Sequence, residues 1–508
     1  MADAEKKNAT PISKDLDRNL SLLDETIGIK ENFDVIVRRL ELGGVKVALL
    51  FVDGLTNDQI VTLILTELVN VKHGELTLNA FEKLFSRIIP YTEVNSVENI
   101  EDIVDKLLSG PQVFLVDGQD KAIIIDARTY PARQPEEPDL EKVVRGSRDG
   151  FVETLVFNTA LIRRRLRDPR LRMEAMQVGD RSKTDIVICY IKDIANSQMV
   201  ENVREGLKRI RIDGLPMAEK AVEELVSPGS HWNPFPKVRY TERPDVAATH
   251  LLEGHVLVLV DTSPSIMITP ATYWHHLQHA EEYRQNPTIG VYIRWARFFG
   301  VAASIFLLPL WLMLAMHPQM LPGPLKFIGP EKPSDIPLFI QFIIAELSVD
   351  MVRLATIHTP TALASGISII AALLLGQIAV QVGLFSAEVV MYVAAAMLGT
   401  FLTPSYELGW ANRLVRYFLL IMTAAFSLPG FLIGSAVFIV YLAMSKSFGI
   451  PYLWPLIPFN WNGMKGVLLR TPVSMANIRP SVLRPKEKRR QAVPLPARKP
   501  GQKNGEKE

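Results

Sequence analysis

Hydrophobic and polar positions alternate along roughly the first 297 residues of the chain, as they do in soluble globular proteins. From Phe298 to Met444 this alternation gives way to long apolar runs, and roughly 20 consecutive apolar residues are enough for a helix to cross a bilayer. The pattern predicts an α/β cytoplasmic N-terminal region of two small subdomains, followed by a polytopic α-helical membrane domain.

The soluble region contains two segments of strands and helices, separated by the proline-rich stretch "RQPEEPD". Residues 33–69 have the pattern of a strand, a Gly43-Gly44 turn, a second strand and an amphipathic helix, and "TDIVICYIK" predicts a further buried strand. The predicted organisation is a flexible N-terminus at 1–30, subdomain 1 at 31–135, subdomain 2 at 136–230, a connector with a strand pair and a membrane-proximal helix at 231–297, a transmembrane domain at 298–445, and a basic tail at 446–508 that is disordered at its end.

The membrane domain is predicted to cross the bilayer an even number of times. We place spans at 298–317, 363–384 and 388–403 and a fourth within 413–444, where Pro429-Gly430 either kinks one helix or splits it into a hairpin, giving about four to six spans. Residues 465–508 carry twelve Lys or Arg against three Glu, which predicts a cytoplasmic C-terminus. The N-terminus is polar, without the apolar segment of a secretory signal, so we expect it to stay in the cytoplasm as well.

Charged residues interrupt one apolar run, "FIIAELSVDMVRLA" at 342–355. Glu346, Asp350 and Arg353 share one face of a helix, and an isolated charge at the bilayer centre costs at least ~2.5–3.5 kcal/mol. The helix could lie in the headgroup plane with its charges in water. Alternatively, the stripe could line a water-filled path in an oligomer, where a ring of acids attracts cations, or it could form a salt bridge between subunits. Arg353 can pair with Asp350, and we expect it to pair with an acid and to help set the gate.

A second polar stripe is formed by Gln377 and Gln381, four residues apart on the next span. Hydrogen bonding between helices is one role for them, and lining of a pore is the other. We therefore take both stripes as candidates for a pore or gate.

Other residue patterns give weaker indications of chemistry. His275 and His279 have helical metal-ligand spacing with Glu282 nearby, but a zinc site needs a third ligand and none is assigned, so no metal site is predicted. The arginine-rich run at 161–172 fits either a solvated helix face or a site for phosphate or anionic lipid. Cys189 lies alone in an apolar strand, which fits a reducing compartment. The chain lacks a phosphate-binding loop and a nucleophile elbow, and we predict no catalytic residues and no enzyme.

The stretch "NPFPKVRYTERPDVAATHLLEGHVLVLVDTSPSIMITPAT" resembles the GerA family of spore germination proteins, in its A-subunit type. "RGSRDGFVETLVFNTALIRRRLRDPRL" and "FGIPYLWPLIPF" are similar to further family hallmarks, and the resemblance extends over about residues 30 to 480. "DTSPSIMITPATYWHHLQHAEEYRQNP" favours a sporulation branch of the family over the nutrient-receptor A subunits.

The resemblance implies a multi-pass protein of the spore inner membrane with its soluble domains and both termini on the spore-core side. It implies an oligomeric, pentameric ion channel that releases cations during germination, beside other germination proteins of that membrane, and that amplifies the nutrient-receptor signal. It supplies no cofactor, metal or catalytic residue and no nucleic-acid partner. The alternatives are a non-conducting scaffold for receptor partners, a nutrient-receptor A subunit or a secondary transporter. The family motif is expected to couple the soluble region to the membrane through Pro234, Phe235, Pro236, Thr241, Glu242, Arg243, Pro244 and Asp245.

Overall fold

The computed structural model describes residues 10–76, 79–89, 91–129, 141–227, 229, 232–320, 329, 335–357 and 359–490. They form two compact units. The sheet unit contains the described parts of 1–228, 240–270 and 471–508, and the helical unit contains those of 229–239 and 271–470.

The sheet unit begins with an α/β module that has helices on both faces of one antiparallel sheet. Its strands are β1 (Val35–Leu42), β2 (Val45–Val52), β3 (Val94–Val97), β4 (Gln112–Val116) and β5 (Ala122–Ile125), in the order β1-β2-β4-β5-β3. Its helices are α1 (Leu16–Ile27), α2 (Asp58–Val69), α3 (Ala80–Lys83) and α4 (Ile100–Leu108). Because side chains alternate across a strand, Ala48 and Leu50 pack with α1 and α4, whereas Val47 and Leu49 pack with α2 and α3.

A second module repeats this arrangement. Its strands are β6 (Leu171–Val178), β7 (Thr184–Ile191), β8 (Arg239–Thr241), β9 (Val256–Val260) and β10 (Ile266–Thr269), in the order β6-β7-β9-β10-β8. Its helices are α5 (Leu155–Arg165), α6 (Ser197–Lys208), α7 (Ala218–Val226) and α8 (Pro244–Glu253). Asn57 and Asn196 cap equivalent helices, α2 and α6. The two modules are therefore tandem copies of one strand order. The second extends beyond the predicted subdomain at 136–230, because β8, β9 and β10 of the predicted connector complete its sheet.

The arginine-rich run at 161–172 joins the two modules. The buried guanidinium of Arg163 donates two 3.0 Å hydrogen bonds to the carboxylate of Asp34, and Arg172 pairs with Glu31. Arg165 pairs with Asp149 inside the second module. These residues thus serve packing within the sheet unit.

Residues of the predicted basic tail also fold onto the second module. The guanidinium of Arg479 donates to the carbonyl of Leu252 (2.7 Å), and the amide of Lys486 donates to the carbonyl of Ile194 (3.0 Å). The predicted disordered end, 491–508, lies outside the described residues.

The helical unit consists mostly of long apolar helices. They are α9 (Ala280–Arg284), α10 (Pro287–Met316), α11 (Leu338–Ile357), α12 (Thr361–Ala372), a π-helical turn (Leu373–Ile378), α13 (Ala379–Gln381), α14 (Ala387–Phe401), α15 (Tyr406–Met444) and α16 (Trp461–Leu468), with a short hairpin of β11 (Lys446–Ser447) and β12 (Ile450–Pro451). Within the described residues, three helices are long and apolar enough to cross a membrane: Pro287–Met316, Leu363–Gln381 and Tyr406–Met444. The predicted fold class, α/β followed by a helical domain with apolar spans, is confirmed.

Helix α15 is a hairpin of two antiparallel halves. Ser427 has a φ of 56°, outside the helical region, and a Cβ atom on Gly434 would lie 3.0 Å from the side chain of Leu419. Residues 15 positions apart approach so closely only if the chain turns back. The helix is interrupted at Ser427, two residues before Pro429, so the structure has the hairpin and not the kinked single helix.

The long helices alternate in direction. Gly399, near the end of α14, packs against Gly300 in the first half of α10, whereas Tyr392 of α14 lies with its ring 5.0 Å from Trp311 near the end of α10. Phe342, near the start of α11, also contacts Trp311.

The helical segment at 361–381 returns along α11. The amide of Ser386, just after this segment, donates a 2.7 Å hydrogen bond to the side-chain oxygen of Gln341 near the start of α11. With the two halves of α15, the described helical unit has six helical segments, and their alternation places the start of the first and the end of the last on the same side.

Candidate functional site

The two acids of the predicted charged stripe face the interior of the helical unit. Glu346 is fully buried and Asp350 is 8 % exposed, beside the buried side chain of Phe342. The opposite side of α11 exposes Leu347 and Met351. This arrangement differs from the headgroup-plane interpretation, in which the charges would lie in water.

Glu346 is held by arginines of α15. Its carboxylate accepts hydrogen bonds from Arg416 at 2.5 Å and 3.1 Å, and the Nε atom of Arg413 lies 3.8 Å away. Arg416 is fully buried and also donates to the carbonyl of Ser304 on α10 (2.5 Å). The pair therefore ties three helices together.

Asp350 completes the cluster. Its carboxylate forms an ion pair with Arg413 and accepts a 3.1 Å hydrogen bond from the hydroxyl of Tyr417. Two carboxylates thus face two guanidiniums, and their formal charges cancel. Such pairing is what allows ionisable side chains to lie inside an apolar bundle. We call Glu346, Asp350, Arg413 and Arg416 the charge cluster.

Arg353 is placed differently from expectation. The predicted pairing with Asp350 is wrong, because Asp350 pairs with Arg413, whereas the guanidinium of Arg353 lies over the rings of Phe401, Tyr406 and Trp410 at 5.6, 5.0 and 5.0 Å. An aromatic face attracts a cation through its quadrupole. Aromatic side chains therefore replace the expected acid at the end of α11.

Sequence reasoning missed the arginine half of the cluster. The predicted last span, within 413–444, includes Arg413 and Arg416, but neither is among the predicted site residues. Two bases at a three-residue spacing beside an apolar run, in a chain with two unexplained acids, are the signal that predicts mutual pairing.

Gln377 and Gln381 are both exposed and remote in sequence from the cluster. They lie on either side of the end of the π-helical turn, where the amide of Ala379 donates to the carbonyl of Leu374, five residues earlier. The structure does not bring them to the acids, so the two predicted stripes form two separate features. Their roles in a pore or gate stay predictions.

The family motif divides between the two units. In the helical unit, the buried ring of Phe235 lies 6.0 Å from Phe438 and from Tyr441, at the end of α15. In the sheet unit, Arg243 is buried and donates to both carboxylate oxygens of Asp245, at 3.1 Å and 2.9 Å. The two ends of the family motif are thus fixed in different units.

Around them, Pro234 and Pro236 flank the buried phenylalanine, and Pro244 is the first residue of α8. The hydroxyl of Thr241 accepts a hydrogen bond from the amide of Arg243 (3.1 Å), and the carbonyl of Glu242 accepts one from the amide of Phe151 (2.8 Å). The role of these residues in coupling stays a prediction.

The histidine-rich segment holds structural contacts. His275 accepts the amide of Thr272 (3.0 Å), His279 caps α9, and the buried Glu282 pairs with Arg294 at 2.7 Å. Among the described residues, no group of three or more His, Cys, Asp or Glu is placed to hold a metal ion.

His276 gives a pH prediction. Burial, with a contribution from the nearby Arg239, lowers the pKa of His276 from 6.5 to about 3. A histidine with a depressed folded-state pKa binds a proton more readily in the unfolded chain, so stability is lost as pH falls from about 6.5 towards about 3. Wild type should lose about 1.4 kcal/mol per pH unit more than His276→Gln in this window, measured by denaturant unfolding of both proteins. Equal slopes for the two proteins would show that His276 is protonated in the fold.

Comparison with known proteins gives consistent matches over most of the chain. The family model described as "Bacillus/Clostridium GerA spore germination protein" matches residues 23–482. Stage V sporulation protein AF of Bacillus subtilis (strain 168) is 48% identical over 474 residues, which are 93% of this chain and 96% of that protein. Spore germination protein B1 of Bacillus subtilis (strain 168) is 30% identical and covers 94% of this chain and 99% of that protein.

Among solved structures, the N-terminal domain of the A subunit of the Bacillus megaterium spore germinant receptor GerK3 matches with 26% identity. The match covers 53% of this chain and 99% of that chain, with a TM-score of 0.40.

Proposed function

Since the chain belongs to the Bacillus/Clostridium GerA family of spore germination proteins, as its motifs predicted, we propose that it is a subunit of an oligomeric cation channel in the spore inner membrane. The channel releases cations during germination and amplifies the signal of the nutrient receptors, with the sheet unit and both termini on the spore-core side. Similarity to a stage V sporulation protein supports this branch of the family. The six alternating segments support an even number of crossings.

The charge cluster is the observation that carries this proposal. Burying two carboxylates and two guanidiniums costs more desolvation energy than filling the same space with apolar side chains. Ionisable residues inside membrane segments mark ion paths or the elements that move around them. A protein that only anchors a scaffold has no need of such a cluster.

We assign the ion path to the segment at 361–381. Only 6% of the apolar stretch within Leu363–Gln381 is buried by the rest of the chain. Nearly all of its surface is therefore available to lipid or to other copies of the chain. Its exposed glutamines can face an aqueous path in a homo-oligomer. Helix α11 fits this role less well, because its acids face the arginines of α15.

The π-helical turn determines which side chains share a face with Gln377. A π-helical turn holds one residue more than an α-helical turn, and one added residue rotates the following helix by about 100°. When the extra residue of the π-helical turn is taken into account, Gln377 and Gln381 lie on the same face of the segment as Ala372 and Ser365. In a continuous α-helix they would lie in line with Ile370 instead.

The resulting face carries mostly small and polar side chains, with Ile369 between Ser365 and Ala372; the small and polar ones are Ser365, Ser368, Ala372, Gly376, Gln377 and Gln381. We call it the polar face. The remaining surface of this segment is apolar and suits lipid. Neutral hydroxyl and amide groups can contact a cation without the desolvation cost that a fixed charge would carry.

We assign the charge cluster to the gate. In this conformation Arg413 and Arg416 neutralise Glu346 and Asp350, so the acids do not attract cations. A shift of α11 along α15 would separate the pairs and expose the carboxylates. Arg353, bound over aromatic rings, would anchor the end of the moving helix.

The family motif is the proposed route from the sheet unit to the gate. Phe235 packs against Phe438 of α15, and the chain then continues into Arg243 and Asp245 of the sheet unit. A displacement of the sheet unit would be transmitted through this short segment and would change the contact between Phe235 and Phe438 at the end of the hairpin.

Potassium efflux from liposomes that contain the purified full chain tests the proposal. A channel should release potassium faster than liposomes without protein, in discrete conductance steps when single molecules are recorded. A non-conducting scaffold should give neither, even at high protein content.

A further inference from the structure

Two exposed aromatic groups lie at one level of the helical unit and are not used by the proposed channel. The first is on α10, where Tyr292 and Phe299 are 75% and 69% exposed and Trp295 contacts Phe299 with ring centroids 5.9 Å apart. The second follows the last long helix, where Phe459 and Trp461 are 66% and 56% exposed. Large aromatic side chains in contact with water are unfavourable unless another apolar phase covers them.

Helix α16 is fixed against α10 at the level of the first group. Arg294 donates from one nitrogen to the carbonyls of Gly466 and Val467, at 2.9 Å and 3.0 Å, at the end of α16. Met464 and Val467 are the buried side chains of this helix. Arg294 is adjacent to Trp295 in α10, and Trp461 lies only about 8 Å along α16 from Gly466, so the two aromatic groups lie at similar heights.

The exposed side of α16 combines apolar and basic side chains. Trp461 and Lys465 are exposed four residues apart on α16, and Leu469, directly after its end, is exposed as well. The ammonium of Lys465 lies 5.5 Å from the centre of the Trp461 ring. Such a combination suits the boundary between headgroups and acyl chains, where indole rings and lysines concentrate.

The length of α10 places this boundary. Its 30 residues span about 45 Å, whereas the hydrocarbon core is about 30 Å thick. Roughly ten residues of α10 therefore extend beyond the hydrocarbon core. The aromatic side chains at 292–299 lie near the N-terminal end of α10.

We propose that Phe459, Trp461 and Leu469, together with Tyr292 and Trp295 of α10, form a surface that lies in the headgroup layer of the membrane. Its partner is phospholipid, and Lys465 favours an anionic headgroup. The proposal rests on the membrane location in the proposed function but not on ion conduction. The surface fixes the depth of the helical unit, so the polar face and the charge cluster keep a defined position in the bilayer.

Spin labels on single cysteines test this contact in the full chain. Phe459→Cys, Trp461→Cys and Leu469→Cys are labelled in lipid nanodiscs with anionic phospholipid, with Lys208→Cys, exposed in the sheet unit, as the water control. The native Cys189 is buried, and burial raises the pKa of its thiol, so it should stay unlabelled.

Relaxation by oxygen and by a water-soluble nickel chelate gives the result. We expect the three labels to collide with oxygen more than with nickel, and the control to show the reverse. Labels as accessible to nickel as the control would overturn the proposal. Labels shielded from both agents would also overturn it and would identify the surface as a contact with a protein. Because the three side chains are exposed, these substitutions should not unfold the chain, and a channel that fails to conduct would leave the result unchanged.

Discussion

Replacement of Glu346 by glutamine should lower the free energy of unfolding of the helical unit by about 3–5 kcal/mol. The substitution leaves the fully buried guanidinium of Arg416 without its negative partner, and an uncompensated charge in an apolar bundle is strongly destabilising. Trp311 and Trp410 lie in the same unit, so tryptophan fluorescence of the purified chain in detergent reports its unfolding. The effect should appear as a large decrease in the midpoint of thermal unfolding.

A second substitution distinguishes a lost ion pair from a general packing defect. The double variant Glu346→Gln/Arg416→Gln removes both charges and should recover most of the lost stability, because no buried charge then remains unpaired at this pair. Destabilisation that simply adds in the double variant would contradict the pairing, and so would a Glu346→Gln protein that unfolds like wild type.

Cysteine modification along the segment at 361–381 should follow the polar face that the π-helical turn creates. Cysteines at Ala372, Gln377 and Gln381 should react with a charged, water-soluble thiol reagent, and the added positive charge should block most potassium efflux from liposomes. Cysteine at Ile370 should react slowly and leave efflux unchanged, because that side chain lies on the lipid side.

The same series separates three cases. If Ile370→Cys blocks efflux and Ala372→Cys does not, the segment lines the path as a continuous α-helix. If none of the four modifications changes efflux from conducting liposomes, the path lies elsewhere. Cys189 is an internal control, because its buried thiol should not react in the unmodified chain.

Much of the sheet unit could be predicted from local sequence. Alternation of apolar residues predicts β1 and β2 around Gly43-Gly44, both glycines having positive φ, and the separation into two subdomains follows from the proline-rich stretch. The identical strand order was not predictable, because it depends on pairings between strands distant in sequence, such as β2 with β4.

In the helical unit, local sequence patterns do not predict which helices contact one another. The stripe of Glu346 and Asp350 is visible as a helical repeat, but its partners on α15 lie almost 70 positions away, and an apolar sequence does not specify which helices become neighbours. The hairpin in α15 was one of two alternatives that Pro429 allows. The π-helical turn leaves no recognisable mark in the sequence, yet it changes which residues share a face with the glutamines.

The most direct measurement of the central claim is cation release from germinating spores that carry Gln377→Trp or Ile370→Trp in place of wild type. Both variants place the same large side chain in the same helical segment, one on the polar face and one on the lipid side, with protein amounts matched by immunoblot. A channel lined by this face predicts slower release for Gln377→Trp and wild-type release for Ile370→Trp. Release at the wild-type rate in both variants would contradict the account and favour a non-conducting scaffold.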